Sequence, residues 1–197
     1  MTGELFEITA NKLKVVSLDG HRISIRNVEL NNSYDNISVI IPGKTLIEIN
    51  KILNGGVDDI VKIYFTDKHI LFEFESTVVL SRLIEGEYYK IDKMLSSDYE
   101  TKITVNKKEM LDSIDRTTLL MKEAEKKPVI IDIKDNSMGL AMNSSIGSMD
   151  EEIDAVKEGK DILIGFNPRF LIDALRVIDD EEITLYMINP KAPCFIR

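Results

Sequence analysis

The sequence predicts an α+β protein built from a repeated unit, and three observations carry that prediction. An apolar strand, a Pro-containing turn and an amphipathic helix of about three turns occur twice, 125 positions apart. The copies are Val39 to Gly55, VIIPGKTLIEINKILNG, and Ile164 to Asp180, IGFNPRFLIDALRVIDD. The two helices keep their charge order: Lys44, Glu48 and Lys51 stand where Arg169, Asp173 and Arg176 stand in the second copy. Short alternating segments divided by turn residues fill most of the remaining chain, which is the pattern of antiparallel sheet.

Taken in order, Leu5 to Ile8 and Leu13 to Val16 are short apolar segments around Ala10-Asn11-Lys12. Asp19-Gly20 between strand-like runs is a hairpin signal, because both positions must tolerate positive φ. Asn31 to Ser33 reads as a polar loop, Ile37 to Ile41 as a strand, and Pro42-Gly43 as the turn into the first helix. Leu46, Ile49 and Leu53 form that helix's core stripe, and Gly55-Gly56 ends it. Val61 to Phe65, Ile70 to Phe74 and Thr77 to Leu83 alternate as strands, and Tyr88 to Glu100 reads as a linker. Asn106 is a candidate N-cap for a helix over Lys107 to Lys122, with Met110, Leu111, Ile114 and Met121 buried. Val129 to Ile133 is a strand and Asp135 to Ser148 a soft Met/Ser/Gly-rich segment. Glu151 to Lys157 and Ile162 to Phe166 are expected to pair as a hairpin across Glu158-Gly159-Lys160. Ile183, Leu185 and Met187 alternate, Asn189-Pro190 turns the chain, and Cys194 to Arg197 begins a return strand.

The duplication also assigns the parts that do not match. Val129 to Ile133 answers Leu5 to Ile8, whereas the helix from Lys107 has no counterpart in the first unit and the strand Thr77 to Leu83 none in the second. The expected organisation is a first unit, 1–98, lacking its first helix and strand, and a second, 99–197, lacking its last strand. The chain thus reads as a fragment cut inside a repeat at both ends, with a natural short form as the alternative.

Composition narrows the functional classes. A chain of 197 residues with 44% hydrophobic residues can fill a core. No apolar run approaches the roughly 20 residues of a membrane helix, and no signal-peptide pattern opens the chain. The one cysteine, Cys194, fits a reducing cytoplasm and reads as a buried bystander. A net charge of −9 argues against coating nucleic acid with the whole surface, but leaves room for basic residues gathered on one face. His21 and His69 stand apart from any cysteine or second histidine, and no metalloprotease, phosphate-loop or nucleophile-elbow spacing occurs. Asp58-Asp59, Asp179-Asp180 and Glu181-Glu182 lie at turns, where solvated charge is expected rather than a catalytic dyad. No cofactor and no metal is called for.

The helical cations admit two readings. Lys44 and Lys51 lie seven apart and share a face, Arg169 and Arg176 repeat that geometry, and Lys107, Lys108, Arg116 and Lys122 add a third helix. They can be a solvated face laced with Lys44–Glu48 and Arg169–Asp173 ion pairs. They can equally be cations aligned to meet phosphates without reading bases. No aromatic residues interleave with them, so single-strand stacking is not indicated.

DGHRISIR, LIEINKIL followed by SRLIEGEY, the opening TGELFE, and IGFNPRFLIDALRVIDDEEITLYMINPKAPCFIR resemble, as an ordered set covering nearly all 197 residues, the bacterial DNA polymerase III beta subunit family, the sliding clamps. The resemblance implies repeated DNA-clamp domains, with antiparallel sheets outside and amphipathic helices lining a channel around duplex DNA. The chain would correspond to most of the second and third domains of a ring-shaped homodimer. It implies a non-enzymatic processivity factor, cytoplasmic and associated with the nucleoid. Lys44, Lys51, Lys107, Lys108, Arg116, Arg169 and Arg176 would line the channel. It implies an apolar groove for short Gln-Leu-x-Leu-Phe-like peptides of the DNA polymerase III alpha subunit, the clamp loader and repair polymerases. Leu18, Gly20, His21, Arg22, Ile23, Tyr89, Lys93, Met94, Asn167, Phe170, Lys191 and Pro193 would form it. The family's first domain and final strand have no counterpart here, and Tyr89 and Lys93 replace the Pro and Arg often found there. The chain alone is therefore expected not to close the usual ring. The alternatives are a clamp-like module that binds partner peptides without encircling DNA, and a hydrolase, which would need a cleft of pKa-perturbed carboxylates.

Overall fold

The structure is a computed structural model, and residues 3–53, 56, 59–91, 95, 98–121 and 127–197 are described. The chain divides into two compact units, Met1–Lys93 and Met94–Arg197.

In the first unit, β1 (Gly3–Leu18) and β2 (Ile23–Pro42) form a long antiparallel ribbon that leads into α1 (Gly43–Ile52). β3 (Lys62–Phe65), β4 (His69–Phe74) and β5 (Thr77–Arg82) follow as an antiparallel meander. The Ile84 amide, donating to the Ile40 carbonyl at 2.9 Å, ties the end of the meander to the ribbon. Alternation gives the ribbon two apolar faces. Phe6 and Ile41 pack with Ile49 of α1 and with Ile70, Phe72, Phe74 and Leu83. On the other face, Leu5, Val16 and Ile40 pack under Ile91, with Tyr88 beside them. The Tyr88 hydroxyl donates to the Val16 carbonyl at 3.0 Å. Tyr88 and Ile91 are thus packed residues, although the sequence reads a linker from Tyr88 onward.

The second unit contains β6 (Thr101–Asn106), α2 (Lys107–Thr118), β7 (Val129–Lys134), β8 (Ser137–Ser144), β9 (Gly147–Gly159), β10 (Ile162–Phe166), α3 (Pro168–Arg176), β11 (Glu182–Met187) and β12 (Phe195–Ile196). Its strands form one antiparallel sheet in the order β10-β7-β8-β9-β6-β11-β12. The core lies between this sheet and the two helices, from Ile131, Met138, Leu140 and Ile103 on strands to Met110, Ile114, Leu171 and Leu175 on helices.

The duplication extends to strand register. Phe6 opposes Val39 in the first unit, and Ile131 opposes Ile164 in the second. Leu13 opposes Val28, and Met138 opposes Ile153. All four first-unit positions in these two pairings move by 125. The backbone kink between the two halves repeats as well, with φ of 52° at Ala10 and 50° at Asp135.

Four expectations are corrected. Asn31 to Ser33 continue β2 rather than forming a loop. Asp135 to Ser148 is not soft: Met138, Leu140 and Met142 alternate with small or polar residues and build the buried face of β8. β9 and β10 do not pair as a hairpin, because β10 lies against β7 at the far edge. The turn residue there is nevertheless fixed, since Gly159 has φ of 98° and a Cβ on it would fall 2.0 Å from the Glu100 carbonyl oxygen. The helices are also shorter than expected. α2 ends at Thr118, buries Ser113 and Thr117 along with Met110 and Ile114, and leaves Leu111 and Met121 half-buried. α1 ends at Ile52, with Ile49 buried and Leu53 exposed; Gly55, expected to end it, and Lys122 lie outside the described residues.

Candidate nucleic-acid interface

Each cation-bearing helix is oriented by its apolar side. On α2 the Asn106 side chain accepts from the Glu109 amide at 3.0 Å, as an N-cap should. Met110, Ser113, Ile114 and Thr117 then face the core, and the Thr117 hydroxyl is satisfied by the Ile114 carbonyl at 2.6 Å. Lys108, Asp112 and Arg116 are left on the exposed side. α3 starts with Asn167 accepting from the Arg169 amide at 3.0 Å and with Pro168 in its first turn. Burial of Leu171, Ile172 and Leu175 turns Arg169, Asp173 and Arg176 outward at i, i+4, i+7. α2 and α3 pack directly on each other. α1 lacks a side-chain cap, and its buried Ile49 leaves Lys44 and Lys51 exposed.

The seven predicted channel cations differ in their engagement. Lys51 meets Glu48 at 2.9 Å, so the pair within α1 is i,i+3 rather than the expected Lys44–Glu48. Lys107 Nζ donates to the Ile178 carbonyl at 2.7 Å, next to the C-terminus of α3. Arg116 grips Glu151 on β9 with two nitrogens, Nε at 2.6 Å and a terminal N–H on the other oxygen, and also donates to the Ser113 hydroxyl at 3.0 Å. Hydrogen bonds from Arg116 and Ser113 outweigh burial and hold the Glu151 carboxyl below the usual range. Arg176 lies 3.5 Å from both oxygens of Asp115 on α2. The side chains of Lys44, Lys108 and Arg169 have no ion-pair or hydrogen-bond partner among the described residues. Glu151 and Asp115 were not legible as site residues, since their partners lie 35 and 61 positions away.

The residues implied for peptide binding lie on several elements of each unit, and in the first unit Ile23 shares an apolar cluster with Tyr88 and Ile91, on either side of Tyr89. Leu18 and Ile23 pair at the end of the β1–β2 ribbon, where Gly20 has φ of 84°. Asp19 organises this tip, accepting from the amides of His21 and Arg22 at 3.1 Å and from Arg22 Nε at 2.7 Å. Burial pushes its carboxyl up, but these donors prevail and leave it below its ordinary value. Tyr89 is exposed on the segment after the meander, and Lys93 and Met94 lie outside the described residues. In the second unit Asn167 caps α3 and Phe170 is half-buried one turn on. Lys191 donates its amide to Asn189 at 2.9 Å, and Pro193 is exposed in the same turn.

Cys194 is half-buried, and burial pushes its thiol up to about 12, which makes it a poor nucleophile. Among the described residues no group of three His, Cys, Asp or Glu side chains could hold a metal ion, and no helix is long and apolar enough to cross a membrane.

The central-domain model of the DNA polymerase III beta subunit matches residues 1–90, and the C-terminal-domain model of the same subunit matches residues 92–197. The chain is 33% identical over 199 aligned residues to the beta sliding clamp of Staphylococcus aureus, covering all of this chain and 52% of that protein. It superimposes with a TM-score of 0.97 on a structure from Eubacterium rectale described as a DNA polymerase III beta subunit, at 67% identity, covering 100% of this chain and 53% of the other. For the Bacillus subtilis DNA polymerase sliding clamp the TM-score is 0.95 at 34% identity, with 100% and 52% covered. The chain spans about half the length of the curated relatives it matches. Repeated units in one register, helices with outward cations, and two consecutive domain matches agree: the chain belongs to the DNA polymerase III beta subunit family, the sliding clamps.

Proposed function

We propose that this chain supplies two domains of a sliding clamp, a ring that encircles duplex DNA and holds polymerases and other partners through short apolar peptides. The match of both units to consecutive domains of that family carries the reading. Outward cations repeated at the same helical offsets support the DNA part, since phosphate contacts without base readout permit sliding. Lys44, Lys108 and Arg169 lead the DNA contacts, with Lys51, Lys107, Arg116 and Arg176 behind them. Partner peptides are received by Leu18, Gly20, His21, Arg22, Ile23, Tyr89, Lys93, Met94, Asn167, Phe170, Lys191 and Pro193, with apolar anchors filling pockets as is usual for extended peptides. The working form is a cytoplasmic, non-catalytic homodimeric ring.

The test is a pair of titrations on the full chain. Labelled duplexes of unrelated sequence should bind equally, with affinity falling steeply with salt, and K44E with R169E should abolish most of that binding. A labelled Gln-Leu-x-Leu-Phe peptide should bind largely independently of salt and be weakened by F170A or by charge reversal at Arg22. Peptide binding with no salt-dependent DNA binding would favour an interaction module instead. Failure of both would sink the clamp reading.

A further inference from the structure

The outward cations of α2 and α3 differ in what already holds them. Arg116 spends three donors inside the molecule, two on Glu151 and one on Ser113. A guanidinium forked on a carboxylate is among the stronger polar contacts, and although the Arg116 side chain is half exposed, only the two N–H groups of its other terminal nitrogen are left for a second anion. Glu151 occupies an inward position of β9, with its side chain only 27% exposed, so removing its partner strands a shielded charge. The Arg176–Asp115 contact is weaker, at 3.5 Å with both side chains about half exposed. Lys108 and Arg169 carry no such hold among the described residues.

Resting on the clamp reading above, we propose that Glu151 and Asp115 are internal counter-ions that withhold Arg116 and Arg176 from phosphate, leaving Lys108 and Arg169 to carry this unit's grip on DNA. A phosphate reaching Arg116 must first displace a carboxylate, so the contact releases no counter-ion from DNA without stranding Glu151. The exchange at Arg176 costs less, because its pair is long and exposed. The hold is therefore graded, firm at Arg116 and loose at Arg176. Such an arrangement limits the number of phosphates engaged at once, and with it the resistance to sliding.

The experiment measures duplex binding by the full chain over a salt series, beside its thermal midpoint. R169A should lose affinity several-fold and flatten the log–log salt slope by roughly 0.9, one phosphate's share, with little change in midpoint. R116A should show the opposite balance, with a lower midpoint and the smaller loss of affinity. E151Q should tighten binding and steepen the slope by roughly 0.9, because it frees a cation. D115N should do the same more weakly. D112N controls for bulk charge: Asp112 is exposed on the same face but holds no arginine by a hydrogen bond. It should tighten binding without steepening the slope. Equal affinity losses in R116A and R169A, or an E151Q slope no steeper than that of D112N, would overturn the proposal while leaving the clamp reading intact. No salt-dependent binding by the unsubstituted chain would overturn both.

Discussion

Ile47 and Ile172 hold the same place in two copies of one helix, yet Ile47 is 58% exposed and Ile172 only 5%. The helices themselves do not explain this. Both follow an apolar strand, both turn basic residues outward, and the strands before them keep the same register. The difference lies in the neighbours. α2 packs on α3, whereas no second helix stands beside α1 among the described residues of the first unit. The sheets differ in the same way. β6 stands between β9 and β11 and joins the second unit into seven continuous strands, while β2 and β3 are not neighbours and leave a ribbon and a meander. A repeat can thus fix strand register and helix direction locally, while burial is conferred by the element packed alongside.

The largest expected effect tests this directly. Ile172→Ala should cost about 2–5 kcal/mol, the range for truncating a sealed aliphatic side chain. Ile47→Ala should cost roughly 0.5 kcal/mol or less, as for an exposed position. Urea denaturation of each variant, followed by a probe in the corresponding unit, measures both. Similar losses would mean that α1 is covered in solution.

A second contrast concerns the sheet faces turned away from the helices. In the first unit Leu5, Val16 and Ile40 lie on that face and are sealed by Ile91 and Tyr88. The positions 125 further on are Ile130, Ala141 and Gly165, with exposed Leu163 nearby and no comparable cover among the described residues. Where the face is open, smaller side chains largely replace the large ones, which reduces the apolar area left in water. The cover also carries a polar tie, so Tyr88→Phe should cost about 1 kcal/mol by removing the bond to the Val16 carbonyl. Leu163→Ser on the open face should be close to neutral, and thermal unfolding distinguishes the two. A neutral Tyr88→Phe would show that the cover is held by its apolar contacts alone.

These contrasts also mark what the sequence could tell. The duplicated helices, their outward cations, the Asn106 cap and the Asp19-Gly20 turn were legible because each depends on residues within a turn or two. β8 is hard to see in the sequence because its Met, Gly, Ser and Asn composition resembles a loop, and only the alternation of Met138, Leu140 and Met142 marks it as a strand. β9 and β10 read as a hairpin because they are neighbours in sequence, while β10 returns to β7 across a non-local register. Of the candidate site, the cations were visible but their carboxylate partners were not. Nothing local connects Arg116 to Glu151 or Arg176 to Asp115.

The smallest effect separates local from long-range pairing by pH. Glu151 and Asp19 are both held below their ordinary carboxylate values in the folded chain. A depressed folded pKa contributes stability that is present above the unfolded pKa, roughly 4, and is lost as pH falls through the folded value. Acid should therefore weaken both units through these groups, but unequally. Asp19 and Arg22 are three residues apart on a turn and remain close in the unfolded chain, so part of the shift is shared by both states and cancels. Glu151 and Arg116 meet only on folding. Denaturation of the full chain over an acidic pH series should show E151Q flattening the acid limb of the second unit more than D19N flattens that of the first. Equal flattening would mean that the turn at Asp19 gains its ion pair only in the folded state, and that the local pair is as dependent on the fold as the distant one.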